Sequence, residues 1–399
     1  MKLINTNTKN NVLKFMINIL DKRRAEIIKA NKDDLEAFGE TEGAMYDRLI
    51  VDNKKVDGMI QSVREVMEQE DPVGQTISHR VLESGLDITN RTAPFGTIMI
   101  IYESRPDVTI EAAVLAFKAN NKIYLKGGKE ANFSNKILVA CWHEALKENG
   151  LDLNWIELLQ LDRTQTQEFL KNPPEKLDLI VPRGGERLIA FVKQHATGAV
   201  LVSGRGNNFL YVSKNADVEV AKRVILNAKI DKISGCNALD KVLVDKNLPN
   251  YEDQLKELEN LMKKNNVEIL VDEEAAKVLG EATKIPNEET WYEEFLAMKM
   301  VIGSVENLDE AIEKINKYSG GHSAAIITTE KEEAINFMEQ VDSAAVYHNA
   351  STRFTDGGQM GVGAELAIST DKLHHRGPLG LKQLVTNKYY VLGEGHIRE

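Results

Sequence analysis

Cys236 is one of two cysteines in a chain of 399 residues, and its neighbours suit chemistry. It lies in the stretch 231–241, between Gly235 and Asn237. A glycine beside a cysteine lets backbone approach a bound group closely. A cysteine on a short turn, or at the start of a helix, can have its thiolate stabilised by backbone N–H groups and the helix dipole. An ordinary thiol, with a pKa of about 8.5, is only a few per cent ionised at neutral pH, so such help matters for a nucleophile. The bland alternative is a small buried residue. Cys141, inside a helical run, reads that way. A Cys–His pair is a further option, with His322 or His348 as the partner, but the α/β texture makes it less economical.

Two glycine pairs follow apolar runs that read as strands. Gly127-Gly128 is flanked by Lys126 and Lys129, and Gly184-Gly185 follows Arg183. In an open parallel sheet, ligands bind at the carboxyl ends of strands, and helix N-termini attract phosphate. Neither pair belongs to a G-x-G-x-x-G fingerprint or a Walker A loop. Together they suggest an anionic cofactor lying across a sheet. Ser104-Arg105 closes another apolar run, and arginine suits bidentate contact with carboxylate or phosphate. The segment 348–353 offers Asn349, Ser351, Thr352 and Arg353 to a polar substrate. Each of these also reads as an ordinary turn or surface loop. The eight histidines show no recognisable ligand spacing, so no metal site is expected.

The elements that must hold these residues follow from periodicity. Residues 1–70 read as helices covering a sheet, with Val12, Phe15, Met16 and Ile19 at helical spacing. Residues 75–91 read as a polar, two-sided β-hairpin. From residue 93 onward strands are expected at 96–102, 122–126, 155–161, 177–181 and 200–202, with helices between them. Asp107 is an expected N-cap for the helix 108–118. Beyond Cys236 the strands 241–244, 268–271, 297–302, 324–328 and 343–346 alternate with helices. This alternation argues for parallel sheets covered on both faces. The tail 384–392 reads as a strand far from either sheet in sequence.

The length fits two or three domains. Lys plus Arg total 50 and Asp plus Glu total 61, a formal charge of −11, which argues against nucleic acid as the main partner. No apolar run reaches the ~20 residues of a membrane span, and the first twenty residues lack the pattern of a signal peptide. Two cysteines make no disulfide framework, so a cytoplasmic protein is expected.

Several segments carry a resemblance. They are 93–96 with 102–109, 125–131, 181–185, 236–238, 320–323, 348–363 and 374–378. In this order they resemble the γ-glutamyl phosphate reductases, a branch of the aldehyde dehydrogenase superfamily. The resemblance implies an α/β fold of aldehyde-dehydrogenase type, with two open parallel-sheet domains and a small β oligomerisation element. The implied domains are 1–228 for NADP binding with the hairpin 75–91 inserted, 229–363 for catalysis, and 364–399 returning to the cofactor domain and ending in an oligomerisation strand. The implied activity is NADPH-dependent reduction of L-glutamyl 5-phosphate to L-glutamate 5-semialdehyde through a thioester on Cys236, the second step of proline biosynthesis.

In this reading Lys126, Gly127, Gly128, Lys129, Arg183, Gly184, Gly185 and Glu294 hold the cofactor. Ser104, Arg105, Asn237, Asn349, Ser351, Thr352 and Arg353 hold the substrate. Lys129 stands where NAD-using relatives place an acid for the adenosine ribose, which favours a 2′-phosphate. The superfamily's water-activating glutamate falls near Val202, so that carboxylate is missing, as suits an enzyme that does not hydrolyse its thioester. A homodimer or homotetramer is implied, with glutamate 5-kinase as a functional partner. The alternatives are a reductase of another acyl phosphate or an acyl-CoA, and a catalytically inactive binding subunit.

Overall fold

The computed structural model describes residues 2–39 and 44–398. Residues 1 and 40–43 of the expected helical region, and residue 399 of the tail, lie outside them. Four helices open the chain: α1 (Thr6–Lys22), α2 (Arg24–Phe38), α3 (Ala44–Leu49) and α4 (Asn53–Glu68). The periodic residues Val12, Leu13, Met16, Ile19 and Leu20 of α1 are buried, as are Val56, Met59, Ile60 and Val63 of α4. Asn5 and Asp52 cap the two helices with side-chain oxygens. The hairpin is present as β1 (Thr76–Val81) and β2 (Asp87–Pro94), paired antiparallel.

Strand and helix then alternate through β3 (Thr97–Tyr102), α5 (Val108–Lys118), β4 (Lys122–Lys126), α6 (Asn132–Glu148), β5 (Ile156–Leu158), α7 (Arg163–Lys171), β6 (Leu179–Arg183) and α8 (Glu186–His195). The strands form a parallel sheet in the order β5-β4-β3-β6. Successive side chains of β3 face opposite ways. Ile98, Ile100 and Tyr102 join the core under α1, α4, α5 and α6, whereas Met99 and Ile101 pack with Leu170 of α7 and Val192 of α8. A strand covered on both faces must be apolar throughout, hence the unbroken run. Residues 200–202, expected as a strand, contribute a single bridge between Val200 and Ile180. Asp107 does not cap α5 with its side chain. Its carboxylate lies 2.8 Å from Lys55 Nζ and 3.1 Å from Arg105 Nη2. Burial would raise the Asp107 pKa, but Arg105 and Lys55 outweigh it and hold the carboxyl at about 2.

A second set of elements follows: β7 (Asn208–Val212), α9 (Val218–Ile230), β8 (Leu239–Asp245), α10 (Tyr251–Lys264), β9 (Glu268–Val271), α11 (Glu273–Val278), β10 (Thr283–Lys284), β11 (Lys299–Val305), α12 (Leu308–Tyr318), β12 (Ser323–Ile327), α13 (Lys331–Gln340) and β13 (Ala345–His348). The seven strands are parallel, ordered β10-β9-β11-β8-β7-β12-β13. Leu210, Val242, Ile302 and Ala325 pack toward α9, α10 and α11; Phe209, Leu243, Val301 and Ile326 pack toward α12 and α13.

The chain divides into two compact units: Met1–Val202 with Gly361–Ala367 and Leu379–Glu399, and Ser203–Met360 with Ile368–Pro378. The boundary expected at residue 228 therefore lies at 202/203. The reason is β7, which pairs with both β8 and β12 and so belongs to the second sheet. The expected return at 364–399 is interrupted, because residues 368–378 belong to the second unit. There β14 (Ala367–Ser369) and β15 (Gly377–Leu379) form a two-stranded ribbon.

The tail strand is β16 (Val385–Leu392). It pairs antiparallel with β2 along its length, from Val385 opposite Pro94 to Leu392 opposite Asp87. The hairpin and tail are thus one three-stranded sheet within a single chain, with β1 and β16 at its edges. Among the described residues no helix is long and apolar enough to cross a membrane.

Candidate active site

Cys236 lies between the end of α9 and the start of β8, on a turn rather than at a helix N-terminus. The helix-start option in the sequence reading is thereby removed. Side chains hold the backbone of this turn. Asn208 Nδ2 donates to the carbonyls of Gly206, Cys236 and Ala238 at 2.9, 2.8 and 2.7 Å. Thr352 Oγ1 donates to the Asn237 carbonyl at 2.8 Å. Asn237 Nδ2 in turn donates to the carbonyls of Arg353 and Thr355 at 3.2 and 2.9 Å. The Cys236 residue is half-buried.

The structure brings the loop after β13 onto this turn. Arg353 Nε lies 3.0 Å from Asp231 Oδ2. A Cβ on Gly235 would lie 2.8 Å from Arg353 Nη1, so glycine is what lets the guanidinium approach the residue before Cys236. Cys236, Asn237, Thr352 and Arg353 therefore form one group. Asn349 does not join it. Its backbone is left-handed at φ 53°, its Nδ2 donates to Thr328 O, and its Oδ1 accepts from Thr328 N, so the amide links the ends of β12 and β13. Ser351 shapes the loop instead of lining the turn, its Oγ accepting from Arg353 N at 3.3 Å. The Cys–His option also falls. His322 Nδ1 faces Ser323 Oγ at 2.7 Å and His348 Nε2 faces Thr328 O at 2.9 Å. Neither ring is hydrogen-bonded to Cys236.

Glu294 is presented by a segment fastened to β8. Lys241 Nζ donates to Glu293 O at 2.8 Å and lies 3.6 Å from the Phe295 ring centroid. Phe295 N donates to Asp240 Oδ2 at 2.9 Å. Asp240 is buried and also pairs with Lys229 at 2.9 Å. Burial pushes the Lys241 ammonium down to about 8, opposed by the adjacent Asp240 carboxylate. The strand that follows the cysteine thus holds the Glu294 segment at two points.

In the first unit the carboxyl ends of β3, β4 and β5 open onto a cavity of about 1270 Å³. Lys126, Gly127, Gly128 and Lys129 line it, together with Arg163 and Arg187. A Cβ on Gly127 would collide with the Asn135 amide, so the backbone there packs closely. Lys126 Nζ donates to Gly127 O at 2.9 Å, and burial lowers its pKa against the pull of Glu130 and Glu103. Glu130, the acid next to Lys129, is turned away. It accepts from Ser104 N at 2.7 Å and from Ser104 Oγ at 3.0 Å.

Arg183, Gly184 and Gly185 do not line the cavity wall, which corrects the expectation for that pair. Arg183 Nη1 donates to Leu366 O, and Gly185 N donates to Glu103 Oε2 at 3.4 Å at the start of α8. Ser104 and Arg105 belong to the same unit as this cavity, engaged with Glu130 and Asp107 respectively.

The sequence reading missed Arg163 and Arg187. The signal for Arg163 was present: Asp162 and Gln165 form a capping box directly after β5, and βα junctions at the carboxyl ends of strands are where ligands bind. Its guanidinium stands 5.2 Å from the Phe191 ring centroid. Asn208, Asp240 and Lys241 had no comparable signal, because their partners are 28 to 55 residues away.

His322 makes a pH test. It is fully buried, its Nε2 has no partner, and burial lowers its pKa from 6.5 to about 4. Below pH 6.5 the unfolded chain takes up a proton that the folded chain refuses until about pH 4, so stability falls as pH drops through that window. The expected loss between pH 7 and pH 5 is about 2 kcal/mol. Urea unfolding at both pH values should show this term in the parent protein and its absence in His322→Gln. An equal acid loss in the variant would assign the effect elsewhere.

Comparison with known proteins agrees with this arrangement. The model of the aldehyde dehydrogenase family matches residues 16–278 and 282–365. The gamma-glutamyl phosphate reductase of Dictyoglomus turgidum is 42% identical over 403 aligned positions, covering 100% of this chain and 96% of that protein. The gamma-glutamyl phosphate reductase of Thermotoga maritima is 42% identical over 397 positions, covering 99% and 95%. Its crystal structure superposes with a TM-score of 0.94 over 99% of this chain and 95% of that one. An acetylating aldehyde dehydrogenase from Geobacillus thermoglucosidasius shares the fold at 17% identity, with a TM-score of 0.71 over 99% and 94%. The chain belongs to the aldehyde dehydrogenase family, in its gamma-glutamyl phosphate reductase branch.

Proposed function

We propose that this chain reduces L-glutamyl 5-phosphate to L-glutamate 5-semialdehyde, releasing phosphate, with NADPH as reductant and Cys236 as acyl carrier. The observation that carries the reading is the guanidinium of Arg353 placed beside Gly235, next to a cysteine whose turn is held by Asn208 and Thr352. The Cys236 thiolate attacks the acyl carbon. Backbone N–H groups of the turn, that of Cys236 first, receive the oxyanion. The C–O bond to phosphate breaks, phosphate leaves with its electron pair, and a thioester remains on Cys236. NADPH, when bound, supplies the hydride that brings this carbon to the aldehyde level. The C–S bond then breaks, the aldehyde departs, and Cys236 is a thiolate again. Residues 200–208 contain no carboxylate, so that segment offers no base to activate water against the thioester.

The cofactor assignment rests on the first unit's cavity. Its size, the close backbone at Gly127 and the cations Lys126, Lys129, Arg163 and Arg187 fit a dinucleotide diphosphate with a 2′-phosphate. Glu130 faces Ser104, so the acid beside Lys129 does not compete for the ribose. A homodimer or homotetramer is part of the proposal. Ile77 and Val81 on β1, and Tyr389 and Val391 on β16, are exposed apolar side chains on edge strands. A second unit cavity of about 290 Å³ suits a small substrate better than a long acyl chain.

Three measurements test these statements. Cys236→Ser should lower reductive turnover by at least about 10³-fold while NADPH still binds; normal turnover would end the proposal. Lys129→Glu should raise KM for NADPH roughly tenfold or more and narrow the preference over NADH, one lost charge contact being worth about 1.4 kcal/mol or more. An unchanged cofactor ratio would remove Lys129 from that role. Truncation after residue 384 should give a smaller species on sizing; an unchanged size would place the oligomer contact elsewhere.

A further inference from the structure

The smaller cavity, beside the Cys236 turn, holds a charge pattern that none of these roles explains. Its walls include Asn227, Asp231, Arg353, Asp356 and Gln359. The point that a Cβ on Gly235 would occupy lies 2.8 Å from Arg353 Nη1 and 2.8 Å from Asn237 Oδ1, so a donor and an acceptor converge there. Asn237 is 5% exposed, and its Oδ1 is a buried acceptor without a partner. Arg353 is already matched by Asp231 at 3.0 Å. Asp356 enters no ion pair among the described residues. Its Oδ1 accepts from the amides of Gly358 and Gln359 at 3.0 and 3.2 Å, which fixes the carboxylate on the cavity wall. The cavity therefore presents two carboxylates against one guanidinium, a poor site for a bare dianion and a good one for a group carrying both charges.

Resting on the function proposed above, we propose that this cavity reads the α-ammonium of the substrate. Asp356 accepts from the –NH₃⁺ group, while the remaining N–H groups of Arg353 donate to the α-carboxylate. Three C–C bonds separate that α-carbon from the acyl carbon, about 4 Å when extended. This is the reach needed when the cavity abuts the residue before the nucleophile. The consequence is specificity. Chains of the same length whose amino group is missing or acylated lose the charge contact with Asp356, so they are rejected.

The test runs the reaction in the oxidative direction with phosphate and NADP⁺. It compares glutamate 5-semialdehyde with 5-oxopentanoate and with the N-acetylated semialdehyde. The parent protein should prefer the free ammonium by on the order of 10² in kcat/KM. Asp356→Asn keeps the Oδ1 acceptor that holds the loop, so it should fold. It should bring the ratio to within about tenfold of unity, mainly through KM for glutamate 5-semialdehyde. Asp356→Glu should restore part of the preference, which a merely structural loss would not allow. A preserved ratio in Asp356→Asn, with all three substrates slowed alike, would overturn the assignment. So would a parent protein that turns over glutamate 5-semialdehyde without preferring its ammonium, and that result would leave the function standing. No turnover of glutamate 5-semialdehyde by the parent protein would remove both.

Discussion

The turn that carries Cys236 is short, lies between a helix end and a strand start, and has no regular hydrogen-bond ladder of its own. Its shape is set by side chains from distant parts of the chain. Asn208 bonds the carbonyls on either side of Asn237, Thr352 bonds the carbonyl of Asn237 itself, and Asn237 returns two bonds to the loop that carries Arg353. Each bond is worth only about 0.5–1.5 kcal/mol in net stability. Their joint effect is geometric: Cys236, the backbone N–H groups of its turn and the Arg353 guanidinium are held in one arrangement. That rigidity suits the thioester route proposed above, in which attack and collapse occur at one carbon held against one sulfur.

The two sheets put their chemistry at opposite ends of their strands. In the first unit Lys126, the segment after β3 and the segment after β5 sit at carboxyl ends, where parallel sheets ordinarily bind ligands. In the second unit the cysteine turn and several neighbouring segments precede strands, whereas the loop that carries Arg353 follows β13. Residues 203–207 lead into β7, the cysteine turn leads into β8, residues 293–295 come before β11, and Gly320-Gly321-His322 lead into β12. Helix α9 ends where the turn begins, so it presents its C-terminus, not its N-terminus, to the turn. Fixed side-chain amides and the neighbouring Arg353 take the place of a helix dipole. The Asp240–Lys229 pair and Lys241 extend the same logic outward, tying the segment that carries Glu294 to the strand that follows the nucleophile.

How much of this could be read beforehand depended on the range of the interactions. The buried strands of both sheets announced themselves, because a strand covered on both faces must be an apolar run. The Gly127-Gly128 corner and its flanking lysines were legible because strand, glycine pair and charges are consecutive. Arg183 and Gly184-Gly185 looked the same in sequence and differ in space, since Arg183 is drawn to the Leu366 carbonyl and the glycines to Glu103. Asn349 looked like a substrate ligand in a polar loop, and its left-handed backbone and two bonds to Thr328 make it a brace. The first strand of the second sheet escaped notice because Asn207-Asn208 opens it with two amides, which read as loop until their carbonyl partners are known.

The sequence by itself determined the α/β class, the order of alternating elements, the hairpin, the candidate nucleophile and the family segments that imply the reaction. These depend on local periodicity and on residues next to one another. Only the tertiary structure decided where the units divide, that the tail strand pairs with the hairpin of its own chain, which cations share the first unit's cavity, and that Asp231, Asn237, Arg353 and Asp356 gather beside the cysteine turn. Those facts depend on contacts between residues tens to hundreds of positions apart, such as Arg353 with Asp231. Backbone topology sets such contacts, and no local pattern encodes them.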